Sequence, residues 1–209
     1  MKPKVIIIGA GGHTRSIIDA LIRQDEYECV GLIEKESMEY PSYMGIEVIG
    51  SDEDLKDLAQ KVDYAFIGIG KNLELREKMA KHLKGLGYEF ATIVDPSAII
   101  ACDVEIDEGV FVGKKAIINA GSHVCKHSII NTGAIIEHDC LIEDFVHAAP
   151  GVILGGGVHL ERKVHLGMGS IVNEGIKIHQ GTFIGSGSLV TKDMKAGILA
   201  YGSPCKEVK

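Results

Sequence analysis

Glu137-His138-Asp139 sets an imidazole between two carboxylates, inside a stretch that is otherwise largely aliphatic (NTGAIIEHDCLIEDFVHAAPG, residues 131–151). Histidine titrates near neutrality, and a carboxylate on one ring nitrogen fixes the tautomer and stabilises the protonated ring. The pair is suited to general-base work on an acceptor that loses a proton as it attacks. Either Glu137 or Asp139 can supply the acid, because both flank His138. Cys140 is a nucleophile by type, but it falls on a packing position of the repeat described below, which favours a structural role.

A second set of residues could hold an anion. GAGGHTR (residues 9–15) follows an apolar run and precedes a helical pattern, so its glycines let the backbone approach a ligand at a helix N-terminus. The dinucleotide fingerprint requires glycine at position 14, where this chain has Thr14, and a mononucleotide or nucleotide-sugar is therefore favoured over NAD. Glu34 ends the second apolar run, where a ribose or base contact would fall, and GIGKN (residues 68–72) ends a later one on the same edge. Seven of the nine histidines lie between His123 and His179, which raises a third chemistry: His147 and His165, with His123 or His127 of a neighbouring subunit, could hold zinc in a trimer. The chain has no close-spaced ligand motif to support this, and no metal is expected.

Two kinds of element must position these groups. Up to about residue 94, strand and helix patterns alternate: KVIIIG, CVGLIE, GIEVIG, VDYAFIGIG and EFATIV read as strands. TRSIIDALIRQ, SDEDLKDLAQK (with Ser51 as N-cap and Asp54 three residues on) and LELREKMAKHLKGLG read as helices. The result is a small parallel sheet covered by helices, about half of a full dinucleotide-binding domain. From Ile100 the period is six: Ile106, Val112, Ile118, Val124, Ile130, Ile136, Ile142 and onward to Val190, with Ala148 the one interruption of Ile, Leu or Val. A small or apolar residue follows four positions after each, and glycine recurs three after, as at Gly109, Gly121 and Gly133. A three-sided parallel β-helix explains this period, with eighteen residues per coil and neighbouring coils about 4.8 Å apart. His138 then stacks between Ala120 and Gly156, Asp139 between Gly121 and Gly157, and His147 on His165. Domains of residues 1–94 and 95–209 follow.

Composition narrows the partners. A net charge of −7 without any Lys/Arg run argues against nucleic acid. Five dispersed cysteines without a CxxC pair fit reduced thiols, and no apolar run is long enough for a membrane span, so a cytoplasmic protein is expected.

With both halves read, the chain resembles the sialic acid O-acetyltransferase and UDP-N-acetylbacillosamine N-acetyltransferase family of bacterial glycan synthesis. The resemblance covers essentially the whole chain and rests on GAGGHTRSIIDAL, IGIGKN, INTGAIIEHDCLIEDFVHAAPG and LVTKDMKAGILAYGSPCK. It implies an α/β Rossmann-like half domain that binds a nucleotide-sugar, followed by a left-handed parallel β-helix acyltransferase domain with a C-terminal tail. It also implies acetyl transfer from acetyl-CoA to a nucleotide-linked 4-amino sugar; the alternative is O-acetylation of sialic acid or another sugar. A trimeric zinc hydratase on the same solenoid leaves GAGGHTR without a role, and a non-enzymatic scaffold leaves both it and the His138 slot unexplained. By resemblance, His138 is the general base and Asp139 its acid, while His147 contacts the thioester end of acetyl-CoA. CoA would run between subunits of a homotrimer near Gly156, Met168 and Ser186. Gly11, Gly12 and His13 match the nucleotide-sugar loop, completed by Glu34, Lys35 and Gly70. Relatives often carry Asp-Asp where this chain has Glu34-Lys35, so the nucleotide is left open.

Overall fold

In the computed structural model, which describes residues 1–34, 42–70 and 72–208, the run KVIII forms strand β1 (Lys4–Ile8), with Val5 to Ile8 buried. Its β-branched side chains suit a strand covered on both faces. β2 (Glu28–Ile33) and β5 (Tyr64–Ile67) flank β1 in parallel, and β4 (Ile46–Gly50) and β6 (Glu89–Phe90) extend the sheet outward. The short edge strand β3 (Ser42–Tyr43), unread in the sequence, pairs antiparallel with β4, so the sheet is not wholly parallel.

α1 (Gly12–Gln24) buries Thr14, Ile17, Ile18, Ala20 and Leu21, spaced as one helical face, and ends at Asp25 in the left-handed conformation. α3 (Leu73–Gly85) starts on Asn72, whose side chain accepts the Leu75 N–H. SDEDLKDLAQK is a shorter helix than its pattern predicts: a 3₁₀ turn (Asp52–Asp54) leads into α2 (Leu55–Leu58). The Ser51 cap does form, as a capping box with Asp54, but Leu55 is the one residue of the two helical pieces that is buried, too little apolar surface to extend them. EFATIV likewise divides into β6 and Ile93–Val94.

Chain contacts divide the protein into two compact units, Met1–Pro96 and Ser97–Lys209. The second is a left-handed parallel β-helix of two-residue strands separated by turns. Strands pair with the coil eighteen residues on, as in Ile117↔Ile135, His123↔Leu141 and His147↔His165. The period-six aliphatic residues from Val112 to Val190 all point inward and are buried, each adding about 1.5–3 kcal/mol over an exposed position. At the corners, the position three after each is left-handed at all nine glycines and also at Lys115, His127, Asp139, Phe145 and Lys163. Buried serines close some corners: Ser122 Oγ donates to Glu137 O and accepts from Cys140 N–H, and Ser128 Oγ does the same for Glu143 O and Val146 N–H. The last coil is two residues short, with Phe183 beside Leu199, and Lys206–Glu207 folds back antiparallel over it.

The three faces differ in what they point outward. The isoleucine face runs Ile99, Ile117, Ile135, Ile153, Ile171 and Leu189; the acidic face carries Glu105, His123, Leu141, His159 and Lys177; the aromatic face carries Phe111, Ile129, His147, His165 and Phe183.

Candidate functional site

His138 and Asp139 form the corner between Ile135–Ile136 on the isoleucine face and Leu141–Ile142 on the acidic face. Asp139 takes the corner's left-handed position, at φ 58°, which aspartate tolerates better than most residues. Its Oδ2 lies 2.8 Å from His138 Nδ1, so of the two flanking acids it is Asp139 that holds the ring. The space for this exists because the next coils are bare. A Cβ on Gly121 would stand 2.5 Å from Asp139 Oδ1, and one on Gly156 would stand 2.5 Å from His138 Cε1 and 2.6 Å from Nε2. The slot read from the sequence is thus filled by the ring itself, which leans over Gly156 and leaves its side chain 63% exposed. The His138 pKa is raised, first by the hydrogen bond to Asp139; desolvation opposes this, and the charges of Asp139, Glu137 and Glu174 add to it. Cys140 is buried, with Sγ 3.3 Å from Gly155 O, and burial pushes its thiol pKa up, which fits a packing role.

His147 lies on a different face, 8% exposed, edge-on to His165, which in turn stacks on Phe183. Its Nε2 is 3.3 Å from Asn131 Nδ2. Since Asn131 Oδ1 accepts the Thr132 N–H at 2.8 Å, the amide orientation is fixed and Nδ2 is the donor. The neutral His147 ring then carries its proton on Nδ1. Asn131 carries no signal in an eighteen-residue stacking pattern, because it sits sixteen residues from His147, on the diagonal. His123 projects from the acidic face and does not join the His147–His165 stack within one chain, and His127 instead stacks on Phe145.

Met168 and Ser186 share the corner between the aromatic and isoleucine faces, one coil apart, with Gly187 N–H donating to Met168 O. Gly156 belongs to the His138 corner instead. One chain therefore brings together His138, Asp139 and Gly156, and separately Met168 and Ser186.

In the first unit, a cavity of about 550 Å³ opens at the carboxyl ends of β1, β2 and β5, a size suited to a small-molecule ligand. Gly11, Gly12, His13, Glu34 and Gly70 line it, together with Asp52, Leu75 and Met79, which sequence reading missed; Lys35 lies outside the described residues. Gly11 and Gly12 have neither positive φ nor any atom within 4 Å of where a Cβ would be, so the protein's own packing does not call for glycine there. Gly9, at φ 97°, does need its freedom. Glu34 Oε2 accepts the Ala10 N–H at 2.7 Å and so braces the loop. Thr14, in place of the fingerprint glycine, is fully buried and donates to Gly9 O at 2.8 Å. His13 is pushed down to about 4, first by burial and then by Arg76, so it is neutral at physiological pH. Buried Arg76, lowered to about 10 by burial, stays charged.

The first unit matches the family model described as the PglD N-terminal domain over residues 4–83. Over 159 residues the chain is 28% identical to the GDP-perosamine N-acetyltransferase of Escherichia coli O157:H7, spanning 74% of this chain and 71% of that protein. A mutant perosamine N-acetyltransferase from Caulobacter crescentus, crystallised with CoA and GDP-perosamine, is 32% identical with a TM-score of 0.94, over 99% of this chain and 97% of that one. The acetyltransferase domain of PglB from Neisseria gonorrhoeae, in complex with acetyl coenzyme A, is 26% identical with a TM-score of 0.93, over 100% of both chains. With its α/β unit, its hexapeptide solenoid and these relatives, the chain belongs to the hexapeptide-repeat sugar acetyltransferase family.

Proposed function

We propose that this enzyme transfers acetyl from acetyl-CoA to the amine of a nucleotide-linked amino sugar, of the 4-amino type, with His138 as general base. The observation that carries this reading is the His138–Asp139 pair at 2.8 Å, which occupies Nδ1 and leaves Nε2 over Gly156 as the basic nitrogen. As the amine attacks the thioester carbonyl, Nε2 takes its proton, and Asp139 stabilises the imidazolium that forms. Collapse of the tetrahedral intermediate breaks the C–S bond, and the imidazolium returns the proton to the departing thiolate. No enzyme acyl intermediate is needed. A backbone N–H or His147 stabilises the oxyanion.

The cavity of the first unit holds the nucleotide, with Gly11 and Gly12 admitting its phosphates and neutral His13 beside them. CoA lies against Gly156, Met168 and Ser186. These belong to two corners of one chain, so the site is completed by a second copy, which supports a homotrimer. The isoleucine face supports it as well, with Ile99 65%, Ile153 37% and Ile171 40% exposed, apolar surface of the kind a partner covers. A cytoplasmic setting belongs to this reading, on the strength of the acetyl-CoA it needs and five free cysteines. No described helix is long and apolar enough to cross a membrane.

The test incubates the protein and acetyl-CoA with UDP-, GDP- and dTDP-linked 4-amino sugars and with free sialic acid, reading products by mass spectrometry. A single acetyl added to one nucleotide-amino sugar is expected. Acetylation of sialic acid alone would replace N-transfer by O-transfer, and no product on any acceptor would sink the assignment. Light scattering of the same preparation should give the mass of three chains; a monomer that transfers acetyl would remove the shared site.

Asp139→Asn should expose the pH logic. Because the base acts when neutral and its pKa is raised, wild-type kcat/KM should fall as pH drops through a value above the ordinary imidazole range. Asparagine tolerates the left-handed corner but cannot stabilise the imidazolium, so the acid limb should move to lower pH and kcat should drop. An unmoved limb would release Asp139 from this role.

A further inference from the structure

Side chains on the solenoid pair along a diagonal of sixteen residues. On the acidic face the acid stands just past one strand, and its partner opens the strand of the next coil. Glu143 Oε1 meets His159 Nε2 at 2.7 Å and its Oε2 takes the Arg162 N–H. Glu161 Oε1 meets Lys177 Nζ at 2.8 Å and His179 Nδ1 at 3.1 Å, and its Oε2 takes the Gln180 N–H. In these coils each carboxylate meets a nitrogen-bearing side chain of the next coil.

The column of acids is interrupted at Cys125. Its diagonal position is Leu141, which brings no charge, and its thiol turns back toward the pair below. Asp107 Oδ1 is 3.2 Å from His123 Nε2, and Cys125 Sγ is 3.8 Å from the same nitrogen. One donor atom from each of the three residues lies within 4.8 Å of the others. Glu105 Oε2 stands 3.8 Å from His123 Nδ1, on the side from which a carboxylate orients a ligating imidazole. Glu143 and Asp144 add negative charge around the thiol, while Lys126, the next residue, is turned to Glu108 at 2.9 Å.

We propose that Asp107, His123 and Cys125 form a binding site for a borderline-soft divalent cation, zinc by ligand type, that clips two adjacent coils of the acidic face. Zinc bonds of about 2.0 Å to nitrogen or oxygen and about 2.3 Å to sulfur set tetrahedral donors roughly 3.3–3.6 Å apart, close to the separations seen around Nε2. A carboxylate, an imidazole and a thiolate together select zinc or cobalt over magnesium and calcium, which take oxygen. On binding, the Cys125 proton goes to solvent, the sulfur–metal bond forms, and solvent fills the fourth position. The site is distinct from the His147–His165 stack and from the His138 corner, so its ion is structural and takes no part in acetyl transfer.

The experiment titrates untagged, chelator-stripped protein with Co²⁺ alone and then with Zn²⁺. Wild type should bind one cobalt per chain with a thiolate-to-cobalt charge-transfer absorption that zinc abolishes, and zinc should raise its melting temperature. Cys125→Ser should lose that absorption and the zinc-dependent rise while keeping its metal-free melting temperature and acetyl transfer. Asp107→Asn should weaken cobalt by at least about tenfold, the loss that even an outer-shell partner brings. Folded wild type without the absorption, or Cys125→Ser retaining it, would overturn the site.

Discussion

His138→Ala is expected to lose at least about 10²-fold in kcat while melting at the wild-type temperature. The two halves of that expectation come from different features of the corner. The rate is expected to fall because Nε2 is the proposed base, and water at the same spot lacks both its basicity and the Asp139 carboxylate that would stabilise the proton once taken. Stability holds because the His138 side chain is 63% exposed and outside the aliphatic stack that carries the solenoid. Substrate affinity should change less than turnover, since the base matters most at the transition state. Steady-state kinetics beside a thermal melt decides it: a folded variant with wild-type kcat removes His138 from catalysis.

The larger lesson about positioning comes from Gly156→Ala. A Cβ there would stand 2.5 Å from His138 Cε1, closer than side chains tolerate. What yields is the free end of an exposed ring, so the chain should fold and melt as before while the imidazole shifts by about 1 Å, enough to cost up to about 10²-fold in kcat. Gly155→Ala, one residue earlier, makes the contrast. Its Cβ would meet Glu174 N at 2.5 Å and Cα at 2.9 Å, backbone atoms with nowhere to go, and the expected loss is in melting temperature. If the two variants lose stability alike, or if Gly156→Ala keeps full turnover, the ring is not held by the bare corner.

The solenoid was legible in the sequence because its ladder repeats: one aliphatic residue every six, buried coil after coil, leaves no other period that fits. The His138 slot was legible for the same reason, since eighteen residues up and down are Gly156 and Ala120. What could not be read was the choice between Glu137 and Asp139, which depends on a left-handed turn at residue 139. The diagonals were missed too. Residues two apart on a strand face the same way, so long side chains reach the neighbouring coil obliquely, as Asn131 does to His147 and Asp107 to His123. In the first unit, the alternation marked the strands but overextended α2, because helical spacing there has too little buried surface behind it.

Asp139 occupies a corner position where glycine is the commonest residue, and four other corners likewise carry side chains at positive φ. None of these five replaces an inward aliphatic position, so the corner column and the interior answer to separate constraints. A reactive group can be gained or lost at one turn while the packed prism keeps its sequence. Chemistry in such a chain is modular along one axis: a turn can carry a reactive group without change to the aliphatic interior, and the accommodation it needs falls on the turns of the adjoining coils, as at Gly121 and Gly156.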